Sequence, residues 1–417
     1  MQNNNISNPL TFLIIGAGDR GFTYSRYSKE YPDEMKVIGI AEPDETRRKL
    51  FAAEFDINAK FIFNDFEEAF NEDKFADAVI IASPDNTHFA PASKAIEKGY
   101  PILLEKPISN YKDECVLLNE YNKIFKGFVV VCHVLRYAPF YKKMKEIIES
   151  GKLGDVITIE HMEGVGWWHQ AHSYVRGNWS DTDKSSPMIL AKSSHDMDIM
   201  LWLIGKHCKK VSSFGSLIHF KPENAPAGST LRCTDECRVE PECPYSALKL
   251  YMNMEKSSWP INTISSDLSF EGRMKALKEG PYGRCVYHCN NNAVDHEVVS
   301  LEFDEGRTAS FTMSGFTEPG RKIKIMGTMG EARGNGKEIE VINFRNNTKE
   351  TIIVGEGGNT IATGHGGGDH GLLNAFIKAV KNNDTGFVSS TLEVSLESHL
   401  MAFGAEESRL TGKIIEL

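Results

Sequence analysis

The sequence predicts an α/β protein: a parallel, doubly wound sheet at the N-terminus, then an α+β part with a large, open, mostly antiparallel sheet. Three observations predict it. Buried apolar runs alternate with helical patterns over the first third of the chain, as in parallel sheets covered on both faces. The first run ends in a glycine-rich turn that opens a helix. After about residue 135 the apolar period becomes two, with short turns, which marks strands with one wet face.

The strand runs are Leu10–Ile15, Lys36–Ala41, Ala78–Ala82, Pro101–Leu104 and Phe128–Cys132, with helices at Asp44–Phe55 and Phe89–Lys98 between them. Tyr141–Glu149 reads as a helix stopped by Ser150-Gly151. In Val299–Phe303 the residues Val299, Leu301 and Phe303 share one face; Asp304-Glu305-Gly306 turns, and Ala309, Phe311 and Met313 face the same way on the return. Ile323/Ile325 and Ile339/Val341 suggest further strands, and a last helix at about Thr391–Leu410 is expected to pack on that sheet. The expected domains are residues 1–135, with the C-terminal residues packing near them, and 136–417, with a Cys-rich insertion at about 220–295.

The 417 residues carry 47 Lys and Arg against 57 Asp and Glu, a formal charge of −10, which argues against a nucleic-acid partner. No apolar run approaches the ~18 residues of a membrane span, so no membrane partner is expected. The N-terminus, Met1 to Pro9, is polar and lacks the order of a signal peptide. The expectation is a cytoplasmic protein whose eight cysteines are thiols or metal ligands rather than disulfides.

Gly16-Ala17-Gly18-Asp19-Arg20-Gly21 follows a strand and opens a helix, the context that G-x-G-x-x-G requires. Gly16 permits the tight turn, Gly18 lets a pyrophosphate approach the backbone, and Gly21 lets helix and strand pack closely. Glu42 ends the second strand, 21 residues after Gly21. A carboxylate there accepts ribose hydroxyls and repels a 2′-phosphate, which favours NAD over NADP. Arg47 and Arg48 read as a solvated helix face, with NADP the less favoured cofactor.

Two further motifs carry a resemblance. Ala82-Ser83-Pro84-Asp85-Asn86-Thr87-His88 follows the Ala78 strand, and Leu104-Glu105-Lys106-Pro107 follows the next. With the glycine loop and Ser150-Gly151-Lys152-Leu153-Gly154, the chain resembles the glucose–fructose oxidoreductase / inositol dehydrogenase (Gfo/Idh/MocA) family over nearly its whole length. The resemblance implies a Rossmann NAD-binding domain, a C-terminal α/β domain whose open sheet supports homo-oligomers, and redox chemistry on sugars, polyols or related alcohols. It places Ser83, Pro84, Asn86 and His88 along the cofactor and Glu105 and Lys106 near the nicotinamide, although plain turn chemistry also explains both prolines.

Hydride transfer from an alcohol carbon also requires removal of the hydroxyl proton. Lys106, crowded by an oxidised nicotinamide, would favour its neutral, proton-accepting form and is the first candidate base. Leu190-Ala191-Lys192-Ser193-Ser194-His195 matches a family segment at His195, but Ala191 stands where the family usually has Asp. If a helix begins near Pro187, Lys192 and His195 share a face, and Lys192 would hold His195 neutral. The bland alternative is a core histidine beside a solvated lysine.

The run Gly166-Trp167-Trp168-His169-Gln170-Ala171-His172-Ser173-Tyr174-Val175-Arg176-Gly177-Asn178-Trp179 suits a carbohydrate, with aromatic faces for sugar rings and Arg176 for a uronate carboxylate. A packed interface loop is an equal reading. His133, Arg136 and Tyr137 are candidate substrate or nicotinamide contacts. In His365-Gly366-Gly367-Gly368-Asp369-His370, Asp369 is either the N-cap of the following helix or, with His370, part of the substrate site.

Cys233-x3-Cys237-x5-Cys243, with Cys289 or Cys285 as fourth ligand, suggests a structural zinc site; free thiols are the alternative and an iron–sulfur cluster a poorer third. The leading function is NAD-dependent oxidoreduction of a sugar or polyol. A second is glycoside cleavage through a 3-keto intermediate with tightly held NAD. A third is a non-catalytic NAD-binding regulator.

Overall fold

The computed structural model describes residues 8–355, 361 and 365–417. By contacts the chain divides into two compact units, which interleave in sequence. The first is 1–156, 194–207 and 326–401; the second is 157–193, 208–325 and 402–417.

The first unit holds β1 (Leu10–Ile15), β2 (Met35–Ala41), β3 (Ile62–Phe63), β4 (Ala78–Ile81), β5 (Pro101–Leu104) and β6 (Phe128–Val131). They form one parallel sheet in the order β3-β2-β1-β4-β5-β6, the expected Rossmann arrangement. All four residues of β4 are fully buried, because helices cover both faces and leave no wet side. The order reverses between β1 and β4, where the ends of parallel strands open a crevice. Asp44 caps the helix Glu45–Glu54 by accepting from the Arg47 N–H. The helix Pro139–Glu149 starts with Pro at its first turn, where a missing N–H costs nothing.

The helix Gly368–Asn382 also packs on this core. Its Leu372, Leu373, Phe376 and Ile377 join Phe12, Ile14 and Val130 in one apolar cluster, and the Phe376 ring stacks 5.8 Å from Phe128. This helix begins at Gly368 after Gly367, whose φ of 89° an L side chain rarely adopts. Asp369 is therefore inside the helix and is not its N-cap.

The second unit is built on β7 (Val156–Gly164), β8 (Cys208–Ser216), β9 (His296–Phe303), β10 (Thr308–Ser314), β11 (Gly320–Gly327) and β15 (Ile415–Glu416). The strands lie in the order β11-β7-β10-β9-β8-β15. β9 and β10 pair antiparallel, with Val299 opposite Phe311 and Leu301 opposite Ala309, as the alternation predicts. β7 and β10 pair parallel, so the sheet is mixed though mostly antiparallel. Among the residues of the first unit, β12 (Gly330–Gly334), β13 (Glu338–Asn343) and β14 (Thr348–Ile353) form an antiparallel meander. The last helix runs Leu392–Thr411. Ser408 Oγ near its end accepts the Ser213 N–H of β8.

Phe376 carries the seam between the helix Gly368–Asn382 and the parallel sheet. Phe376→Ala should destabilise the protein by about 3–5 kcal/mol through the lost transfer energy and the cavity left behind. Denaturant unfolding followed by circular dichroism measures this, and a loss under ~1 kcal/mol would remove the residue from the core argument.

Candidate functional site

The glycine loop is shaped by sterics that each glycine meets separately. Gly16 has φ +97°, and a Cβ there would lie 2.7 Å from the Ser83 nitrogen. A Cβ on Gly21 would lie 2.1 Å from the Gly16 carbonyl oxygen. Gly18 meets nothing within 4 Å, although it caps the helix Asp19–Glu30. That helix has no side-chain cap at its start. An open face, backbone N–H groups and the positive end of a helix dipole make an anion cradle that a Cβ would fill. A dinucleotide pyrophosphate fits it, with Ala17 and Asp19 on either side.

Glu42 extends the cradle from the end of β2. Its Oε2 accepts the Ala17 N–H at 2.6 Å and its Oε1 accepts the Asp44 N–H at 3.0 Å. The two amides fix the carboxylate at a strand end next to the glycine loop, and each oxygen keeps capacity for a ribose hydroxyl. Arg48 Nη1 donates to the Glu42 carbonyl oxygen at 2.5 Å.

Arg20 is held in a charge knot. Its Nε lies 2.7 Å from Glu105 Oε1, and Nη2 and Nη1 lie 2.6 and 3.2 Å from the two oxygens of Asp369. Tyr24 donates to the same Glu105 oxygen at 2.6 Å, and Glu105 Oε2 accepts the Lys106 N–H at 2.8 Å. Burial opposes ionisation of Asp369, but Arg20 and His365 overcome it and hold the carboxyl well below its usual range. Burial likewise opposes ionisation of Glu105, and Arg20 and Lys106 hold it low. Arg20, Glu105 and Asp369 thus brace one another, and the brace sets the backbone at Lys106. Tyr24 carries no sequence signal for this role.

Ser83 and the exposed Pro84 and Asn86 stand on the loop after β4. The His88 ring is committed elsewhere: Nδ1 lies 2.6 Å from the Pro107 carbonyl oxygen and Nε2 lies 2.8 Å from that of Ser83. It ties the loop after β4 to the loop after β5 rather than presenting a free ring.

A file of imidazoles lies in the same unit. Ring centroids step 5.5 Å from His399 to His133, 5.9 Å to His195 and 5.5 Å to His365. Arg136 grips Asp198 with two bonds of 2.7 Å, and Asp198 stands 3.8 Å from His133. Tyr137 Oη meets Ser390 Oγ at 2.9 Å and accepts the Ser389 N–H. His133, Arg136 and Tyr137 are each at most 4% exposed, so this trio is interior bracing beside His195. His370 packs its ring on Tyr27 and Tyr31. His399 donates from Nδ1 to the Ser395 carbonyl and accepts the Ile108 N–H at Nε2, which requires the neutral ring.

In the second unit Lys192 pairs with Glu163 at 3.1 Å, and Arg321 pairs with the same carboxylate at 2.9 Å. The helix expected from Pro187 is interrupted. It spans Met188–Ala191, Lys192 is its C-cap, and a new helix begins at Ser194. Lys192 and His195 therefore do not share one helix face. The aromatic run is a short helix at Trp167–His169 continuing as a π-helix over Gln170–Arg176. Trp168 and His169 pack on Trp259 at 5.4 and 4.9 Å, and His169, Tyr174 and Trp179 follow at 6.1 Å steps. Trp167 is the exposed one, at 38%. Arg176 is 1% exposed and donates to the carbonyls of Arg284 and Tyr245, so its guanidinium faces the insertion rather than a uronate.

Cys233, Cys237, Cys243 and Cys285 line one cavity of about 10 Å³. Cys289 is not on that lining; its thiol donates to the Cys285 carbonyl at 3.2 Å. Among the described residues no three His, Cys, Asp or Glu side chains already stand in metal-binding geometry. Nor is any described helix long and apolar enough to cross a membrane.

A doubly wound sheet with an open glycine cradle and a strand-end acid defines a dinucleotide-binding protein of the Rossmann class. Comparison with known proteins narrows the class. Residues 10–125 match the description "Oxidoreductase family, NAD-binding Rossmann fold" and residues 145–392 match "Oxidoreductase family, C-terminal alpha/beta domain". The chain belongs to the Gfo/Idh/MocA oxidoreductase family. It is similar to a Bacillus subtilis protein designated an oxidoreductase, YteT, at 27% identity over 384 residues, 87% of each chain. An inositol 2-dehydrogenase of Corynebacterium glutamicum is 27% identical over 207 residues, 49% of this chain and 57% of the relative. An Agrobacterium radiobacter oxidoreductase solved with NAD+, L-tartaric acid and magnesium shares the fold at TM-score 0.71 and 15% identity, covering 98% of each chain. An Azotobacter vinelandii inositol dehydrogenase homolog complexed with NAD+ does so at 0.70 and 13%, covering 99% of this chain and 98% of that one.

Two predictions follow from the geometry. Gly18→Ala should fold with wild-type stability but weaken dinucleotide binding roughly tenfold or more, by filling the face a pyrophosphate must approach. Gly21→Ala should instead cost about 1–3 kcal/mol of stability by overpacking. Melting curves with and without NAD separate the two, and a destabilised Gly18→Ala or a neutral Gly21→Ala would contradict the loop geometry.

The second concerns pH. Burial holds His399 down at about 3 and pushes His133 well below the usual 6.5. The unfolded state then binds more protons below about pH 6.5, so stability is full above that pH and falls as pH drops. Glu105 and Asp369, both depressed, extend the loss as pH falls below about 4. Urea midpoints across pH 8 to 4 test the sign; a midpoint rising toward acid would refute it.

Proposed function

We propose that this chain transfers hydride between NAD and a CH–OH carbon of a sugar, polyol or sugar derivative. The observation that carries the reading is the open face of Gly18 beside the anchored Glu42 carboxylate, a cradle suited to a dinucleotide without a 2′-phosphate. Bound NAD would supply the hydride acceptor. Lys106, whose backbone Glu105 holds, takes the proton from the substrate hydroxyl as the hydride departs and returns it in the reverse direction. His195 is the second proton-handling group, with His133 and His365 at its ring edges. Lys192, set by Glu163, and the aromatic run with the exposed Trp167 serve substrate recognition. Relatives designated inositol 2-dehydrogenases support the polyol class. Phe214 and Val298 stand opposite each other on β8 and β9 at 71% and 44% exposure, which supports a homo-oligomer through this sheet.

A second reading, redox-neutral cleavage of a glycoside with retained NAD, draws on the buried Ala191 in place of the family's usual Asp. A relative named for hydration, 2,7-anhydro-N-acetylneuraminate hydratase of Mediterraneibacter gnavus, supports it at 24% identity over 51% of this chain.

A panel of polyols, free sugars and aryl glycosides with NAD or NADP decides. Stoichiometric NADH from a polyol or sugar is the expected result, and Lys106→Ala should lower turnover by roughly 10²–10⁴-fold with NAD affinity unchanged. Aglycone release without net NADH would favour the second reading. NAD binding with neither product would leave a regulator and sink both, and an unimpaired Lys106→Ala would remove that residue from the mechanism.

A further inference from the structure

The insertion has little to hold it together. From Leu217 to Asp295 it consists of turns, single 3-10 turns and two short helices, and its described residues form only small apolar clusters. All eight cysteines are free thiols, so no disulfide staples it. Segments of this size with so small a core usually need a cross-link of another kind.

Four thiols from two distant stretches meet at one cavity. Cys233 and Cys285 come from the two sides of an isolated bridge between Arg232 and Arg284. There the Cys233 N–H donates to Gly283 and the Cys285 N–H to Leu231. Cys237 and Cys243 reach the same cavity from the loop that follows Cys233.

Each of these sulfurs is met by backbone N–H groups. Cys237 Sγ receives those of Val239, Glu240 and Thr230, together with the Thr230 hydroxyl. Cys243 Sγ receives that of Tyr245, and Cys285 Sγ that of Tyr287. Cys233 Sγ receives the Ala247 N–H at 3.5 Å and faces Arg176 Nη2 at 3.8 Å. At three of the four sulfurs a donor thus comes from the residue two positions on: Val239, Tyr245 and Tyr287. Donors aimed at sulfur from outside the cavity are the outer bonds that a metal-bound thiolate keeps.

Arg176 adds a second, independent observation. The guanidinium is 1% exposed, and the groups it donates to are neutral: two carbonyls, the Cys233 sulfur and the Tyr251 hydroxyl. A buried cation among neutral groups is costly, and a doubly negative centre beside it would offset that cost.

We propose that Cys233, Cys237, Cys243 and Cys285 bind a single zinc ion as a structural tetrathiolate centre, with Arg176 as its counter-cation. The thiols ring the cavity and close on the metal when it binds; four sulfurs around one small, closed site is the donor set of structural zinc. The cavity of about 10 Å³ takes one ion and is too small for a cluster of irons and sulfides. Cys285, not Cys289, completes the set.

Metal analysis and cobalt exchange of the full-length protein test this. The expected result is one zinc per chain. Replacement by cobalt should give the visible bands of a tetrahedral site with strong thiolate charge transfer. Four thiols should be shielded from a thiol reagent until a chelator is added. Cys285→Ser should weaken zinc retention against a chelator by more than the roughly 10–100-fold that an outer-shell partner is worth, while Cys289→Ser should retain the metal. Should Cys285→Ser fail to fold, the cobalt spectrum and thiol count of the wild-type protein still decide. Zinc-free protein that takes up no cobalt, iron in place of zinc, or loss of metal in Cys289→Ser but not in Cys285→Ser would overturn the assignment.

Discussion

One guanidinium organises the nucleotide end of this protein. Arg20 sits in the first turn of the glycine-loop helix and pairs with Glu105 after β5 and Asp369 in the helix Gly368–Asn382. Two carboxylates this deeply buried would be protonated or would unfold the site without it. Because Glu105 also accepts the Lys106 N–H, the same cation positions the backbone of the candidate base. The glycine loop and the Glu-Lys-Pro turn, 85 positions apart at their contact, are thus one electrostatic unit. The His88 ring repeats the device with neutral acceptors, joining the loops after β4 and β5 through two carbonyls.

The second unit relies on buried arginines in a similar way, with different partners. Arg273 is 2% exposed and gathers the carbonyls of Leu268, Tyr251, Asn253 and Lys256. Arg176 gathers those of Arg284 and Tyr245. In a stretch with few ladders, a planar five-donor group satisfies carbonyls that strands or helices would otherwise take. This explains why an arginine chosen from composition as a sugar ligand serves as an internal clamp. Fork geometry that suits a carboxylate suits diverging carbonyls equally well.

The architecture was largely legible in the sequence. Strand limits, the three glycines and the β9–β10 register follow from short-range sterics and from which face must stay dry, and both act on neighbours in the chain. The site was legible where the chemistry is local. Gly16, Gly18, Gly21 and Glu42 need only their own strand ends to be understood. It was not legible where a side chain chooses between partners. Asp369 is two residues after a positive-φ glycine pair and could have capped its helix; Arg20 claims it instead. The break at Lys192 and Ser193 has no glycine or proline inside it, and Lys192 ends on Glu163 of β7.

What the sequence alone determined is therefore the fold class, the dinucleotide cradle and the kinship carried by its motifs, because each is written in residues close together in the chain. What only the tertiary structure decided is which distant groups neutralise one another: Arg20 with Asp369, Lys192 with Glu163, and Cys285 rather than Cys289 beside Cys233. The physical reason is that a buried charge or polar atom must find a partner. Which partner it meets depends on how loops far apart in sequence close, and spacing along the chain does not encode that.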